Sequence, residues 1–246
     1  MARIGFIGTG HIAAPMIRTL ARDGHTCLVS RRSEALSSAL ETEFANVTAT
    51  ENQVVVDGSD IIFLCIRPHL AHEVIAPLTF SDRQQIVSVM AGVSMAELAT
   101  LCAPADDISM TIPLGYLEAG GCPLAVYPTT EPLEALFGKA NPVIPVSSEA
   151  ALNSHFAVCA MVPGMLAMLE AGAGWLAQRT GDPDAAERYT TELMAGFLAA
   201  MGKGAGRLGV EKNELATDGT LSLMMVEGLE QGGALDAMTG AMDAIE

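Results

Sequence analysis

Basic side chains are scarce in this sequence. Only 13 residues are Lys or Arg, against 29 Asp and Glu, which gives a formal net charge of −16 at pH 7. A chain this acidic repels phosphate backbones and anionic membrane surfaces. We therefore expect no nucleic-acid partner and no membrane partner.

Closely spaced cysteines are missing, and so is any convincing group of metal ligands. The five cysteines are Cys27, Cys65, Cys102, Cys122 and Cys159. None forms a CxxC pair, so we expect reduced residues of a cytosolic core. One histidine pair, His69 and His72, has i, i+3 spacing. Such an isolated pair on a helix more often consists of solvent-exposed residues than of metal ligands. We predict no metal site.

Long apolar runs and targeting signals are also missing. The first ten residues have neither the basic start nor the cleavage site of a signal peptide and are typical of a strand. The most apolar run, 157–169, contains Pro163 and stops at Glu170. It is shorter than the about 20 apolar residues that span a bilayer, which favours a buried helix. We expect a cytoplasmic protein.

The composition is that of a folded protein with two domains. Half of the 246 residues are hydrophobic and 17% are charged, which is enough apolar material for a core. Near residue 148 the composition shifts to Ala, Met, Leu, Glu and Gly. We predict an N-terminal domain over 1–147 and a C-terminal domain over 148–246.

Strand and helix patterns alternate in the first domain. Strands are predicted at 3–8, 25–32, 60–68, 84–92 and 107–113, with the last strands between 119 and 146. Helical patterns at 10–24, 33–43, 69–78 and 94–102 separate them. This alternation predicts an α/β fold with a doubly wound parallel sheet of Rossmann type.

The second domain has helical patterns throughout. Helices are predicted at 149–177, 183–202, 217–230 and 235–245. This segment is more apolar than about a hundred residues can hide alone, so we expect a homodimer that forms through it.

The first turn carries a nucleotide-binding pattern. Gly8-Thr9-Gly10-His11-Ile12-Ala13 matches GxGxxA between a strand and a helix. Gly8 permits a tight turn, and Gly10 permits close approach of a pyrophosphate to the helix N-terminus. We predict that a dinucleotide binds at Gly8, Thr9, Gly10, His11 and Ile12.

The end of the second strand favours NADP. About 20 residues beyond Gly10, an NAD site places an acidic residue for the ribose 2′-hydroxyl. This chain has Ser30-Arg31-Arg32 there instead. Two guanidinium groups can hold a 2′-phosphate by charge-assisted hydrogen bonds.

Five stretches carry a resemblance to a known family: IGFIGTGHIAAPM, CLVSRRS, DIIFLCIRPHLAHEVI, IVSVMAGVSMAEL and ATDGTLSLMMVEGLEQGGAL. With these stretches the chain resembles the pyrroline-5-carboxylate reductase family from end to end. The resemblance implies an NADP-binding Rossmann domain, an obligate helical dimer, and hydride transfer to a cyclic imine that yields a saturated ring amine, as in proline biosynthesis. It adds six residues to the implied cofactor site: Cys65, Ile66, Arg67, Pro68, Ala91 and Gly92.

The family's TSPGGTT stretch corresponds to residues 216–222 and implies the substrate site. If Thr217 caps the following helix, the amides of Gly219 and Thr220 and the hydroxyls of Thr217 and Ser222 can anchor a substrate carboxylate. Thr217 and Ser222 are the catalytic candidates, and no side chain stands out as the proton donor.

This chain departs from the family at three substrate motifs. SGSGPAY is replaced by residues 160–165, the Met-Pro-Asn turn by 111–114, and Asp218 adds a negative charge beside the proposed anchor. A cationic amine or iminium would suit this site better than a carboxylate.

Three alternatives remain open. The altered motifs are compatible with a catalytically silent NADP-binding dimer. A β-hydroxyacid-dehydrogenase-like oxidoreductase would need a lysine on the interdomain helix, and residues 149–177 contain none. The deazaflavin-dependent NADP reductases share the N-terminal pattern but have a smaller helical portion.

Overall fold

The computed structural model describes residues 1–245 and forms two compact units, Met1–Phe156 and the residues from Ala157 onward. The boundary lies inside a helix, Glu149–Cys159, and not at the predicted position between 147 and 148. The start of this helix is tied to the first unit: Leu152 is fully buried, and the Glu149 carboxylate accepts a hydrogen bond from the Met95 amide at 3.1 Å.

The first unit is built on one sheet, which has eight strands within residues 1–245. They are β1 Arg3–Ile7, β2 Thr26–Ser30, β3 Val47–Thr50, β4 Ile61–Leu64, β5 Gln85–Ser88, β6 Asp107–Thr111, β7 Leu124–Tyr127 and β8 Val143–Pro145. The spatial order is β3-β2-β1-β4-β5-β6-β7-β8, and only the pair β6–β7 is antiparallel. This arrangement confirms the predicted doubly wound sheet.

Helices connect the strands of the first unit. They are α1 Ala13–Arg22, α2 Glu34–Glu43, α3 Asn52–Asp57, α4 Ala71–Ile75, α5 Met95–Leu101, α6 Glu131–Phe137 and α7 Glu149–Cys159, with 3₁₀ turns at Pro68–Leu70 and Leu117–Ala119. The sequence prediction omitted β3 and α3, so the predicted third and fourth strands are β4 and β5. β3 has only four residues, which is the lower limit for a recognisable strand pattern.

The core of the first unit lies on the two faces of this sheet. Phe6 of β1 stacks on Phe63 of β4 with ring centroids 5.0 Å apart, and Phe137 of α6 meets Phe63 edge-on at 6.1 Å. Burial raises the pKa of the Cys27 and Cys102 thiols to about 12, so both are neutral core groups at physiological pH.

The described part of the second unit consists of helices. They are α8 Met161–Thr180, α9 Pro183–Ala200, α10 Arg207–Leu215, α11 Leu221–Gln231 and α12 Ala234–Asp243. The predicted helix 149–177 is interrupted at Ala160, and α10 was not predicted.

Large apolar side chains of these helices are exposed in the single chain. Leu166 is 58% exposed, Leu198 56%, Leu221 84% and Met224 68%. The helical stretch Glu149–Thr180 is also long and apolar enough to cross a membrane, with a mean hydropathy of 1.7 and 6% of the window buried. The apolar run 157–169, which the sequence predicts to be short and buried, lies within this longer and mostly exposed stretch. By length and composition alone, such a helix is weak grounds for a membrane span.

Candidate functional site

The turn that follows β1 requires glycine at its first position. Gly8 has φ +98°, and a Cβ placed there would lie 2.4 Å from the main-chain oxygen of Cys65. A Cβ placed on Gly10, in contrast, would meet no heavy atom within 4 Å. The fold therefore requires glycine at position 8, whereas a side chain at position 10 would point into open space.

The helix that follows presents its N-terminus at this turn. The Gly10 carbonyl accepts the first helical hydrogen bond, from the Ala14 amide at 2.9 Å. The residue before the helix, Ile12, makes no side-chain capping bond. The first amides of a helix have no partner within the helix, and the helix dipole favours an anion beside them.

The side chains of Thr9 and Ser30 support the turn from within. Thr9 Oγ1 donates to the Ser30 main-chain oxygen at 2.8 Å, and Ser30 Oγ accepts from the Gly8 amide at 2.8 Å. Both residues are at most 2% exposed. Their hydroxyl groups are therefore engaged inside the protein, whereas the sequence placed both residues among the cofactor contacts.

The two arginines after β2 are exposed and carry no ion pair among residues 1–245. Arg31 Nε donates to the Ala49 main-chain oxygen of β3 at 3.0 Å, which holds this side chain against the sheet. The guanidinium groups of Arg31 and Arg32 thus remain available to an anion.

The predicted contacts after β4 and β5 lie at the same edge of the sheet. The Cys65 amide donates to the Ile7 carbonyl at 2.8 Å, which ties the β4 loop to β1. Arg67 and Pro68 are exposed, Ile66 is buried, and burial raises the pKa of the Cys65 thiol. Ala91 and Gly92 are exposed beyond β5, where Gly92 has φ +76°. Because β1, β2, β4 and β5 are parallel neighbours, their carboxyl ends bring all the predicted cofactor residues to one edge.

One neighbouring segment was not among the predicted site residues. The β6–β7 loop (112–123) approaches the first turn, since a Cβ on Gly115 would lie 3.9 Å from the His11 main-chain oxygen. The parallel-strand rule could have identified the loop, because it follows the carboxyl end of β6.

Residues 217–222 form a tight turn and the start of α11. Thr220 is the capping residue: its hydroxyl accepts from the Leu223 amide at 3.1 Å and donates to the Thr217 carbonyl at 2.7 Å. The Thr220 amide also donates to the Thr217 carbonyl, at 3.1 Å. The prediction that Thr217 caps this helix is wrong, because Gly219, with φ +79°, closes a turn ahead of Leu221.

Three residues with expected donors remain exposed in this segment. They are Thr217, Gly219 and Ser222, and the Asp218 carboxylate is exposed beside them. Within residues 1–245, no three His, Cys, Asp or Glu side chains are grouped closely enough to hold a metal ion.

Comparison with known proteins gives one match to the N-terminal part of the chain and one to nearly its whole length. Residues 3–92 match the family model described as "NADP oxidoreductase coenzyme F420-dependent". Pyrroline-5-carboxylate reductase 3 of Danio rerio is 26% identical over 259 aligned residues, which span 98% of this chain and 88% of that protein.

Solved structures match the whole fold. The 1-pyrroline-5-carboxylate reductase of Streptococcus pyogenes superposes with a TM-score of 0.81 at 21% identity, covering 99% of this chain and 96% of that one. The pyrroline carboxylate reductase of Plasmodium falciparum, solved with NADP bound, gives a TM-score of 0.83 at 12% identity, covering 99% and 95%.

Proposed function

We propose that the chain is a divergent member of the pyrroline-5-carboxylate reductase family and an NADPH-dependent oxidoreductase that reduces a cyclic imine. The proposal rests on three features that lie at one edge of the sheet: the glycine turn, the helix N-terminus, and two arginines that form no ion pair within residues 1–245.

The residues at this edge fit NADPH. The open space beside Gly10 leaves room for a pyrophosphate against the turn amides. Arg31 and Arg32 provide cations for the 2′-phosphate, and no acidic residue stands at the end of β2 to repel it. When bound, NADPH supplies the hydride. The exposed loops after β4 and β5, including Arg67 and Gly92, would border its remaining part.

The protein's tasks in this reaction are to orient the substrate and to hold it near the hydride donor. Reduction of an imine adds the hydride to carbon and a proton to nitrogen. We assign that proton to solvent.

The proposed substrate site is residues 217–222. Of the donors expected there, the Thr220 amide already donates to the Thr217 carbonyl, as does the Thr220 hydroxyl. The exposed hydroxyls of Thr217 and Ser222 and the Gly219 amide remain to bind substrate, with Asp218 among them. A carboxylate would meet a like charge here, so we propose a cyclic imine without a carboxylate in preference to the precursor of proline.

We further propose a cytoplasmic homodimer that forms through the second unit. The exposed apolar side chains of α8, α9 and α11 support this assembly, because large exposed apolar patches usually mark an interface. Light scattering is expected to give about twice the 25.6 kDa mass of one chain.

A catalytically silent NADP-binding dimer is the second candidate. The replacement of SGSGPAY by residues 160–165, without its serines and aromatic residue, favours this alternative.

The experiment that separates the candidates combines binding and turnover. Calorimetry measures NADPH and NADH affinity, and the loss of NADPH absorbance is followed with cyclic imines such as 1-pyrroline and pyrroline-5-carboxylate, and with coenzyme F420 as a separate acceptor. We expect tight NADPH binding and turnover of an imine. Tight binding without any turnover would support the silent dimer, turnover of F420 alone would indicate the deazaflavin class, and absence of NADPH binding would overturn the proposal.

A further inference from the structure

The sheet determines which loops lie along each half of the proposed cofactor. In a doubly wound sheet the dinucleotide crosses the edge where the strand order reverses, which is between β1 and β4 here. The arginines that would hold the 2′-phosphate follow β2, so the adenosine half lies on that side. The nicotinamide riboside must then extend over the carboxyl ends of β4, β5 and β6.

The β6–β7 loop is attached to the C-terminal part of α1. Glu118 of the loop accepts a hydrogen bond from Arg22 at 2.5 Å and lies 3.9 Å from Arg18. Leu117, beside it, is 1% exposed and packs in the hydrophobic core. The loop is thus attached to the helix whose N-terminus faces the cofactor.

Cys122 holds the loop from its other side. Its thiol accepts a hydrogen bond from the Leu114 amide at 3.4 Å, and its own amide donates to Asn141 Oδ1 at 2.9 Å. Cys122 is fully buried. These bonds connect both ends of the loop across the segment that contains Tyr116.

Tyr116 is therefore an exposed aromatic ring on a fixed support. The residue is 46% exposed, and both ends of its loop are held by the bonds of Cys122. Its neighbour Gly115 lies against the His11 main chain in the first turn. An aromatic ring held in this way loses little conformational freedom when a second ring or a sugar packs on it.

We propose that the ring of Tyr116 packs against the nicotinamide riboside half of NADPH and sets the affinity for that half. The inference rests on the proposed function, because it takes NADPH as the cofactor. It assigns Tyr116 a contact with the cofactor and leaves proton transfer to solvent.

The test compares two ligands by calorimetry: NADPH, and 2′-phosphoadenosine 5′-diphosphate, which has no nicotinamide riboside. Tyr116→Ala is expected to weaken NADPH binding about three- to tenfold, the range of one aromatic contact, and to leave the affinity for the fragment within about twofold. Tyr116→Phe keeps the ring and should bind NADPH within about threefold of the wild type.

Tyr189→Ala, at an exposed tyrosine of α9, is the matched control and should leave both affinities unchanged. Tyr116→Leu, which keeps bulk without the ring, replaces the alanine variant if that one fails to fold, and the same loss is expected of it. Equal weakening of both ligands, or no weakening of either, would overturn the inference. A wild-type protein that binds the fragment and not NADPH would also overturn it, and one that binds neither would overturn the proposed function itself.

Discussion

The Thr9 hydroxyl donates a hydrogen bond to the main-chain oxygen of Ser30 at 2.8 Å, which joins the ends of β1 and β2. The Ser30 hydroxyl in turn accepts from the Gly8 amide. Because both side chains are buried, the turn is preorganised in the absence of a ligand.

Replacement of Ser30 tests this internal support. Ser30→Ala leaves the buried Gly8 amide without its acceptor, and the free energy of unfolding is expected to fall by about 1–3 kcal/mol. Urea unfolding measures the change. Ser38→Ala, at an exposed serine of α2, is the control and should change little. Equal stability of the two variants would show that the bond contributes nothing.

The two glycines of the turn should respond differently to the same substitution. Gly8→Ala places a Cβ against Cys65 at φ +98° and is expected to destabilise the fold by at least about 1–3 kcal/mol. Gly10→Ala has free space and should melt like the wild type, yet it should bind NADPH at least about tenfold more weakly, because the methyl group occupies the pyrophosphate position. Melting curves and calorimetry separate these effects. Normal NADPH affinity in Gly10→Ala would place the pyrophosphate elsewhere.

Arg31 is expected to contribute more than Arg32 to the choice of NADPH over NADH. Its Nε bond to Ala49 holds the guanidinium group in place, so less side-chain entropy is lost when the 2′-phosphate binds. One charge-assisted bond contributes about 1.5–3 kcal/mol, so Arg31→Ala should weaken NADPH binding about ten- to a hundredfold and leave NADH binding unchanged. Arg83→Ala, on the loop before β5, is the control. If Arg32→Ala has the larger effect, this ranking is wrong.

Asp218 is expected to discriminate against substrates with a carboxylate. A like charge about 4 Å away in a solvated site opposes binding by about 1 kcal/mol, so Asp218→Asn should lower KM for pyrroline-5-carboxylate about fivefold. KM for 1-pyrroline, which has no carboxylate, should not fall. Steady-state kinetics measure both values, with Asp236→Asn on α12 as control. A parallel change for both imines would remove Asp218 from substrate selection.

The ion pair between Arg3 and Asp60 predicts a dependence of stability on pH. The Arg3 guanidinium holds the pKa of Asp60 below its ordinary value of 3.8. The carboxylate therefore stabilises the folded state above about pH 4, and this contribution is lost as the pH falls through the lowered pKa. Asp60→Asn should be slightly less stable than the wild type at pH 7, and the difference should vanish at pH 2. The effect is small because both side chains are more than half exposed. Urea unfolding at the two pH values measures it.

The sequence was sufficient for the strands that form the centre of the sheet. β1, β4 and β5 lie within nearly continuous apolar runs, and burial on both faces produces that pattern. β3 is an edge strand in which Thr48 is exposed, so its four residues lack such a run. The sequence prediction also omitted α10, a helix whose residues are mostly exposed.

The glycine pattern and the two arginines located the candidate site, because the local turn and the end of β2 determine their positions. The roles of Thr9 and Ser30 depend on a pairing 21 residues apart in sequence, which no local pattern contains. The capping residue of α11 was misplaced for a different reason: Thr217 and Thr220 are both suitable caps by residue type, and only the turn at Gly219 selects Thr220.

The exposed apolar faces of α8, α9 and α11 have a thermodynamic consequence. If a second copy covers them, the folding of these helices is linked to association, and their midpoint of thermal unfolding rises with chain concentration. The Rossmann unit has its own buried core and would show no such dependence. Dilution should therefore lower the melting temperature of the helical unit alone, so that a dilute sample shows two melting transitions where a concentrated one shows a single transition.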